Sequence, residues 1–322
     1  MSCALERRRF LGMLAASPLL AAPALASAFD IAETSFRFTS RDGLSIASSR
    51  WTGGGPLRGV VQIAHGMGEH IGRYKALAET LAAAGFAVYG NDHRGHGRTA
   101  RSPDELGDFG KGGFELLVED MMRLSRIARD ENPDLPLVLL GHSMGSFAAQ
   151  WYALDHSGEI DGLVLSGSGA LDALVRAARW SGQRFLNAGF QPARTPFDWL
   201  SRDQKVVDAF IADPLCFASL KSASFSSFLA AAKPLSDPDR LRQIRSDLPM
   251  YVFSGSDDPV GVRLEGVRLL IDRYLAAGLR HIAHDFYPGG RHEMLNETNR
   301  VDVRAHLLDW LSLAVSRTVS RA

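Results

Sequence analysis

Leu137-Val138-Leu139-Leu140-Gly141-His142-Ser143-Met144-Gly145-Ser146-Phe147-Ala148-Ala149-Gln150 is the stretch on which the reading of this chain turns. Four apolar residues make a short buried strand, and the residues from Ser146 read as the start of a helix. Between them stands the pattern G-x-S-x-G. A serine hydroxyl is a weak nucleophile, so it must be displayed at the tip of a tight turn where a histidine can take its proton. Such a turn strains the serine backbone and presses strand against helix. Only small residues then fit two positions to either side, which accounts for Gly141 and Gly145.

Outward from that turn, the chain alternates strands and helices. Ser35 to Ser40 and Leu44 to Trp51 flank Arg41-Asp42-Gly43, whose Asp-Gly is a hairpin signal. Val60 to Ala64 is a buried strand, followed by a helix near Arg73 to Ala84 that ends at Gly85. Phe86 to Tyr89 is the next strand, and a long helix at Gly113 to Glu131 leads into the quoted stretch. Gly162 to Ser166, Met250 to Phe253 and Ile282 to Tyr287 are further short strands, and Val301 to Val315 is a closing amphipathic helix. Unbroken apolar strands separated by helices imply a mostly parallel sheet covered on both faces, with the first hairpin as an antiparallel edge. Together with the serine turn this is the α/β-hydrolase fold. Residues 169–237 break the rhythm: they carry no strand signal but are rich in aromatics from Phe185 through Phe190, Phe197, Trp199, Phe210, Phe217 and Phe225 to Phe228. The expected organisation is a core of residues 29–168 and 238–322 with a helical cap inserted at 169–237. Most of those aromatics should form the cap's own core, and two or three should line an acyl pocket.

A serine nucleophile needs a base, an orienting acid and oxyanion donors, all at the C-terminal ends of the strands. In this fold the acid and then the base follow the serine. His65, His70, His93 and His96 precede Ser143, and His156 follows it too soon. His281, His284 and His306 fall before, within and well after the last strand. His292 remains, in the glycine-bearing loop Pro288-Gly289-Gly290-Arg291-His292, and is the expected base. The acid should leave the strand at Met250, where Asp257 and Asp258 are neighbours. Successive residues point to opposite sides, so one of them faces His292. The rigid Pro259 favours Asp258, which leaves Asp257 as a solvated loop charge or a helix cap. The backbone N–H groups of Met144 and of Met67, in the glycine-bearing loop His65-Gly66-Met67-Gly68, are the expected oxyanion donors. The histidine-rich loops match no metal-ligand spacing, so neither metal nor cofactor is expected. Instead Asp92-His93-Arg94-Gly95-His96-Gly97 should tie the loop beneath the site through hydrogen bonds and a buried salt bridge, and Glu69 should pair with Arg73.

Composition sets the surroundings. The 322 residues are 46% hydrophobic and 22% charged, with 36 basic and 36 acidic side chains, so there is no basic excess to neutralise nucleic-acid phosphates. Residues 1–28 read as an export signal: Arg7-Arg8-Arg9-Phe10-Leu11 has the twin-arginine pattern, an alanine-rich apolar segment follows, and Ala26-Ser27-Ala28 is a cleavage site. The implied location is the periplasm, with a membrane tether if the signal stays uncleaved. Without those residues 33 basic and 35 acidic side chains remain, a net −2. Cys3 lies in the signal, which leaves Cys216 without an intramolecular partner, and its apolar neighbours make it a buried, inert thiol.

His65-Gly66-Met67-Gly68-Glu69-His70, the segment 91–99 (NDHRGHGRT), GHSMG at 141–145, Ser201-Arg202-Asp203 with Asp213-Pro214-Leu215, GSDDPV at 255–260 and RHEMLNE at 291–297 together span nearly all of the chain beyond the signal. In these motifs the chain resembles the monoacylglycerol lipase and lysophospholipase group of α/β-hydrolases. The resemblance implies Ser143 as nucleophile, Asp258 as acid, His292 as base and Met67 and Met144 as oxyanion donors, acting on lipid or other esters with an apolar acyl chain. Contact with a membrane surface would fall to the cap. The twin-arginine signal departs from the mostly cytoplasmic or membrane-associated lipases of this group. Two other functions fit the fold: a proline-releasing aminopeptidase and a non-catalytic binding protein.

Overall fold

The computed structural model describes residues 30–179, 182 and 184–319, so the expected export signal and its cleavage site lie outside the described residues. The first hairpin pairs β1 (Ala32–Thr39) with β2 (Ser45–Thr52). Its turn forms as the Asp-Gly pair dictates: Gly43 adopts φ +86° and the Asp42 carboxylate accepts the Leu44 N–H at 3.2 Å. Six parallel strands follow: β3 (Gly59–Ala64), β4 (Phe86–Asn91), β5 (Leu137–His142), β6 (Gly162–Ser166), β7 (Met250–Gly255) and β8 (Ile282–Tyr287). The sheet order is β1-β2-β4-β3-β5-β6-β7-β8, with β2 antiparallel to both of its neighbours. An eight-stranded, mostly parallel sheet with helices on both faces is thus the observed architecture.

The strands alternate as a doubly covered sheet requires. Val61, Ile63, Val138, Leu140, Val164, Tyr251 and Phe253 face a layer made by α1 (Lys75–Ala83) and α11 (Arg300–Val319), whose Leu77, Leu81, Val303, Leu307 and Leu311 are buried against them. The intervening residues Val60, Leu137, Leu139, Leu163, Leu165 and Val252 face the other layer. That layer is built by α2 (Gly113–Glu131), α3 (Met144–His156) and α10 (Glu265–Ala276). Fully burying each such side chain stabilises the fold by about 1.5–3 kcal/mol. Consistent packing on both faces therefore fixes the register of the central strands.

Between β6 and β7 the described residues form helices only: α4 (Leu171–Ala178), α5 (Arg184–Asn187), α6 (Gln204–Ala212), α7 (Ser222–Ala230), α8 (Ala232–Ser236) and α9 (Pro238–Leu241). Leu200, Val207 and Phe210 make a small separate core there, with Phe197, Trp199 and Cys216 against it. The helical run continues through α9, beyond the boundary at residue 237 read from the sequence.

Candidate active site

The turn between β5 and α3 holds Ser143 at φ 52°, ψ −123°, a conformation that costs a non-glycine residue of order 1–3 kcal/mol. It persists because its surroundings over-determine it. Ser143 N–H donates to the Ser166 carbonyl at 3.0 Å, and the Ser143 carbonyl accepts from Ser146 and Phe147 N–H at 2.8 and 3.2 Å. The flanking glycines are required by space. A Cβ on Gly141 would lie 2.5 Å from the Gly145 carbonyl oxygen, and one on Gly145 would lie 2.2 Å from that of Ala64. Met144 opens α3, so its N–H belongs to the first helical turn and has no acceptor within the helix.

His292 is buried, and its Nδ1 lies 2.9 Å from Asp258 Oδ1. The same carboxylate oxygen accepts Val260 N–H at 2.9 Å, which pins the acid. Asp258 is fully buried, whereas Asp257 is half-exposed and lies within 3.4 Å of the neighbouring Ser256 hydroxyl. The structure thus brings Asp258, not Asp257, to the histidine. Burial disfavours the charged imidazolium, but attraction to the Asp258 carboxylate and its hydrogen bond outweigh that, and the pKa of His292 stands above the ordinary histidine value.

Ser143, Met67, Met144 and His292 share the lining of one cavity of about 530 Å³. Six of the eight aromatics singled out in the sequence line it: Phe197, Trp199, Phe210, Phe217, Phe225 and Phe228. Phe185 and Phe190 do not, and the latter stacks under the Arg291 guanidinium, whose carbon lies 4.4 Å from the ring centroid. More of these rings therefore face the cavity than the two or three expected, because the segment has only a small core of its own to fill. Trp199 reaches beyond the wall: its ring lies 4.9 Å from that of His292, and its carbonyl accepts His292 N–H at 3.3 Å.

Beneath the cavity floor the loops are tied as the sequence suggested. Arg94 and Asp120, both buried, pair at 2.9 Å. His65 Nδ1 donates to the Gly66 carbonyl at 2.8 Å, and its Nε2 accepts His93 N–H at 2.9 Å, which sets the tautomer. Asp92 accepts from the backbone N–H groups of Ile71 and Arg98, each at 2.9 Å. Glu69 pairs with Arg73 at 2.6 Å, although Glu69 precedes the helical turn rather than lying on it. The sequence did not reveal that Glu293 completes this pair: both of its oxygens lie 2.8 Å from the Arg73 guanidinium. Glu69 also accepts from Gly66 N–H at 2.6 Å and from the Tyr74 hydroxyl at 2.7 Å. Burial would raise its pKa, but the Arg73 charge dominates and holds it well below the usual carboxylate range. The loop carrying Met67 is thereby bolted to the residue after His292.

Two residues escaped the sequence reading. His142, the x of G-x-S-x-G, packs its ring 4.7 Å from that of His292 and lies 3.2 Å from the Ser166 hydroxyl. Burial, reinforced by the nearby His292 charge, pulls its pKa down to about 4, so it stays neutral beside the other ring. Its place next to the serine was the only available signal. Gly167, at φ +55°, leaves the space both rings occupy: a Cβ there would lie 2.8 Å from His292 and 2.9 Å from His142. Cys216 is half-buried rather than enclosed in apolar packing, and it sits beside His70 and Asp213.

Residues 55–299 match the model of the family described as Hydrolase_4: serine aminopeptidase, S33. A monoacylglycerol lipase from Mycolicibacterium smegmatis is 34% identical over 280 residues, which are 85% of this chain and 95% of that protein. A monoglyceride lipase from Rattus norvegicus is 27% identical, covering 80% and 86% of the two chains. Among solved structures, a thermostable carboxyl esterase from Bacillus coagulans superposes with a TM-score of 0.80 at 29% identity over 88% of this chain and 99% of that one. A monoglyceride lipase from Saccharomyces cerevisiae shares the fold with a TM-score of 0.70 at 21% identity over 88% and 95% of the two chains.

Proposed function

The chain belongs to the serine aminopeptidase S33 family of hydrolases, and from that premise we propose that it is a serine hydrolase of carboxylic esters with an apolar acyl chain. One observation carries the reading: His292, paired at 2.9 Å with the buried Asp258, lines the same largely apolar cavity as a serine held in a strained turn. The relatives reported above, a monoacylglycerol lipase and a carboxyl esterase among them, support the same chemistry.

Asp258 fixes the Nδ1–H tautomer of His292, so Nε2 is the free base. Nε2 takes the Ser143 proton as Oγ attacks the ester carbonyl carbon. The carbonyl oxygen, now negative, is held by the Met144 and Met67 N–H groups. The C–O bond to the alcohol then breaks, and the leaving oxygen takes the proton from His292. Water, deprotonated by His292 in turn, attacks the acyl-enzyme and releases the acid. The acyl chain lies against Phe197, Phe217, Phe225 and Phe228. No step draws on a metal or cofactor.

An aminopeptidase must bind a substrate ammonium, which calls for a carboxylate with charge to spare. Among the described residues, the carboxylates that line the cavity, Glu69 and Glu293, both hold the single Arg73 guanidinium. Ester substrates are favoured over peptides by the lipase and esterase relatives. The physiological ester is of the monoacylglycerol or lysophospholipid kind, and the protein is exported on its twin-arginine signal.

Hydrolysis of p-nitrophenyl esters from two to sixteen carbons, with Ser143→Ala alongside, tests the reading. A maximum at medium or long chains that disappears in the variant is expected. A maximum at acetate would limit the protein to small esters. Absence of any Ser143-dependent turnover would refute the proposal.

A further inference from the structure

Outside the proposed catalytic residues, one set of side chains has donor chemistry that the reaction does not use. His70 ends the loop that carries Met67, and Asp213 and Cys216 follow α6 in the helical insertion. One ligand atom from each, a ring nitrogen, a carboxylate oxygen and the sulfur, lies within 4.8 Å of the others. We propose that His70, Asp213 and Cys216 bind a zinc-type divalent ion that fastens the segment 213–217 to the loop 65–70.

Distances, donor types and charge all fit. Zinc bonds of about 2.0–2.3 Å in a tetrahedron put neighbouring ligand atoms roughly 3.3–3.8 Å apart. His70 Nε2 and Asp213 Oδ2 stand 2.9 Å apart, so each ligand moves by less than about an ångström to receive the ion. Imidazole, carboxylate and thiolate together select a borderline-soft metal, whereas magnesium and calcium favour oxygen throughout. The carboxylate is already oriented, since its other oxygen accepts Leu215 N–H at 2.9 Å. Three carboxylates (Asp213, Glu69 and Glu293) and one guanidinium (Arg73) act on the Cys216 sulfur, so the local field is negative. Binding then forms the metal–sulfur bond as the S–H bond breaks, and the proton leaves to solvent. The His70 and Asp213 side chains are 13% and 28% exposed, which leaves an approach from solvent.

The two segments already touch. Phe217 N–H donates to the Gly68 carbonyl at 3.0 Å, and a Cβ on Gly68 would lie 2.1 Å from the Phe217 carbonyl oxygen. Both Phe217 and Met67 line the cavity. An ion at His70, Asp213 and Cys216 therefore cross-links the acyl-side wall to the proposed oxyanion loop.

Cobalt(II) added to the full-length protein tests the site. The expected result is a thiolate-to-cobalt charge-transfer band that saturates at about one equivalent and is displaced by zinc. Cys216→Ser should abolish the band while retaining Cys3, and His70→Ala should weaken binding roughly tenfold or more. Zinc should raise the thermal midpoint of the wild type but not that of Cys216→Ser. No band at stoichiometric cobalt, or a band that persists in Cys216→Ser, would overturn the proposal. So would an equal zinc-induced rise in midpoint in both proteins. The wild-type and Cys216→Ser measurements decide the matter even if His70→Ala does not fold.

Discussion

At the scale of single residues, the proposed chemistry rests on one buried hydrogen bond and one strained backbone. Asp258→Asn keeps the shape but loses the carboxylate that sets the His292 tautomer. We expect kcat on a p-nitrophenyl ester to fall by about 10⁴, and a fall under tenfold would remove Asp258 from its proposed role. The pH profile follows from the direction of the His292 shift. Its pKa lies above the ordinary 6.5 and the neutral ring is the base, so activity is present above that raised pKa and lost as pH falls through it. The acid limb of kcat/KM in the free enzyme should therefore stand on the alkaline side of 6.5. A limb on the acid side would mean that another group controls the rate.

At the scale of elements, the site depends on how closely strands, helices and loops approach. Gly145 lets α3 cross β3, and Gly145→Ala puts a methyl where Ala64 and His65 place their carbonyl oxygens. Overpacking of this kind costs about 1–3 kcal/mol, and it should displace Ser143 as well. Urea unfolding with ester turnover should show both losses together; full activity would mean the turn tolerates the shift. The Glu69–Arg73–Glu293 cluster joins the helical turn that precedes α1 to two loops. Arg73→Ala leaves two buried carboxylates without their cation, which typically costs 3–5 kcal/mol, roughly. Chemical denaturation should register that loss, and a much smaller value would mean that one carboxylate takes up a proton instead. The serine turn was legible because steric need restricts it to glycine on both sides. Glu293 was not, since no local pattern links residue 293 to residue 73.

At the scale of the whole molecule, the helical insertion supplies most of the cavity wall and carries exposed apolar side chains. Ile211 on α6 is 48% exposed and Phe225 on α7 is 36% exposed. The proposed lipid substrate would arrive from an aggregate or a bilayer, and we propose that these side chains contact such a surface. Ile211→Ser should lower binding to phosphatidylcholine vesicles in a flotation assay while leaving turnover of a short soluble ester intact. Equal flotation of both proteins would count against contact through α6. The alternation of strands and helices, the antiparallel leading hairpin, the two-sided burial and the proposed order of serine, acid and base along the chain were legible in one dimension, whereas the crossed sheet order β2-β4-β3-β5 was not read from it. Each legible feature follows from local periodicity, from turn chemistry or from the handful of connections an alternating α/β chain permits. Asp258 was favoured over Asp257 by Pro259, and in the fold it is Asp258 that lies 2.9 Å from His292. The pairing of Arg73 with Glu293, the approach of His142 to His292 and the meeting of His70 with Asp213 and Cys216 arise only on folding. They are contacts between segments 143 to 220 residues apart. Such contacts depend on where complete layers come to rest, and no periodicity within a segment encodes that.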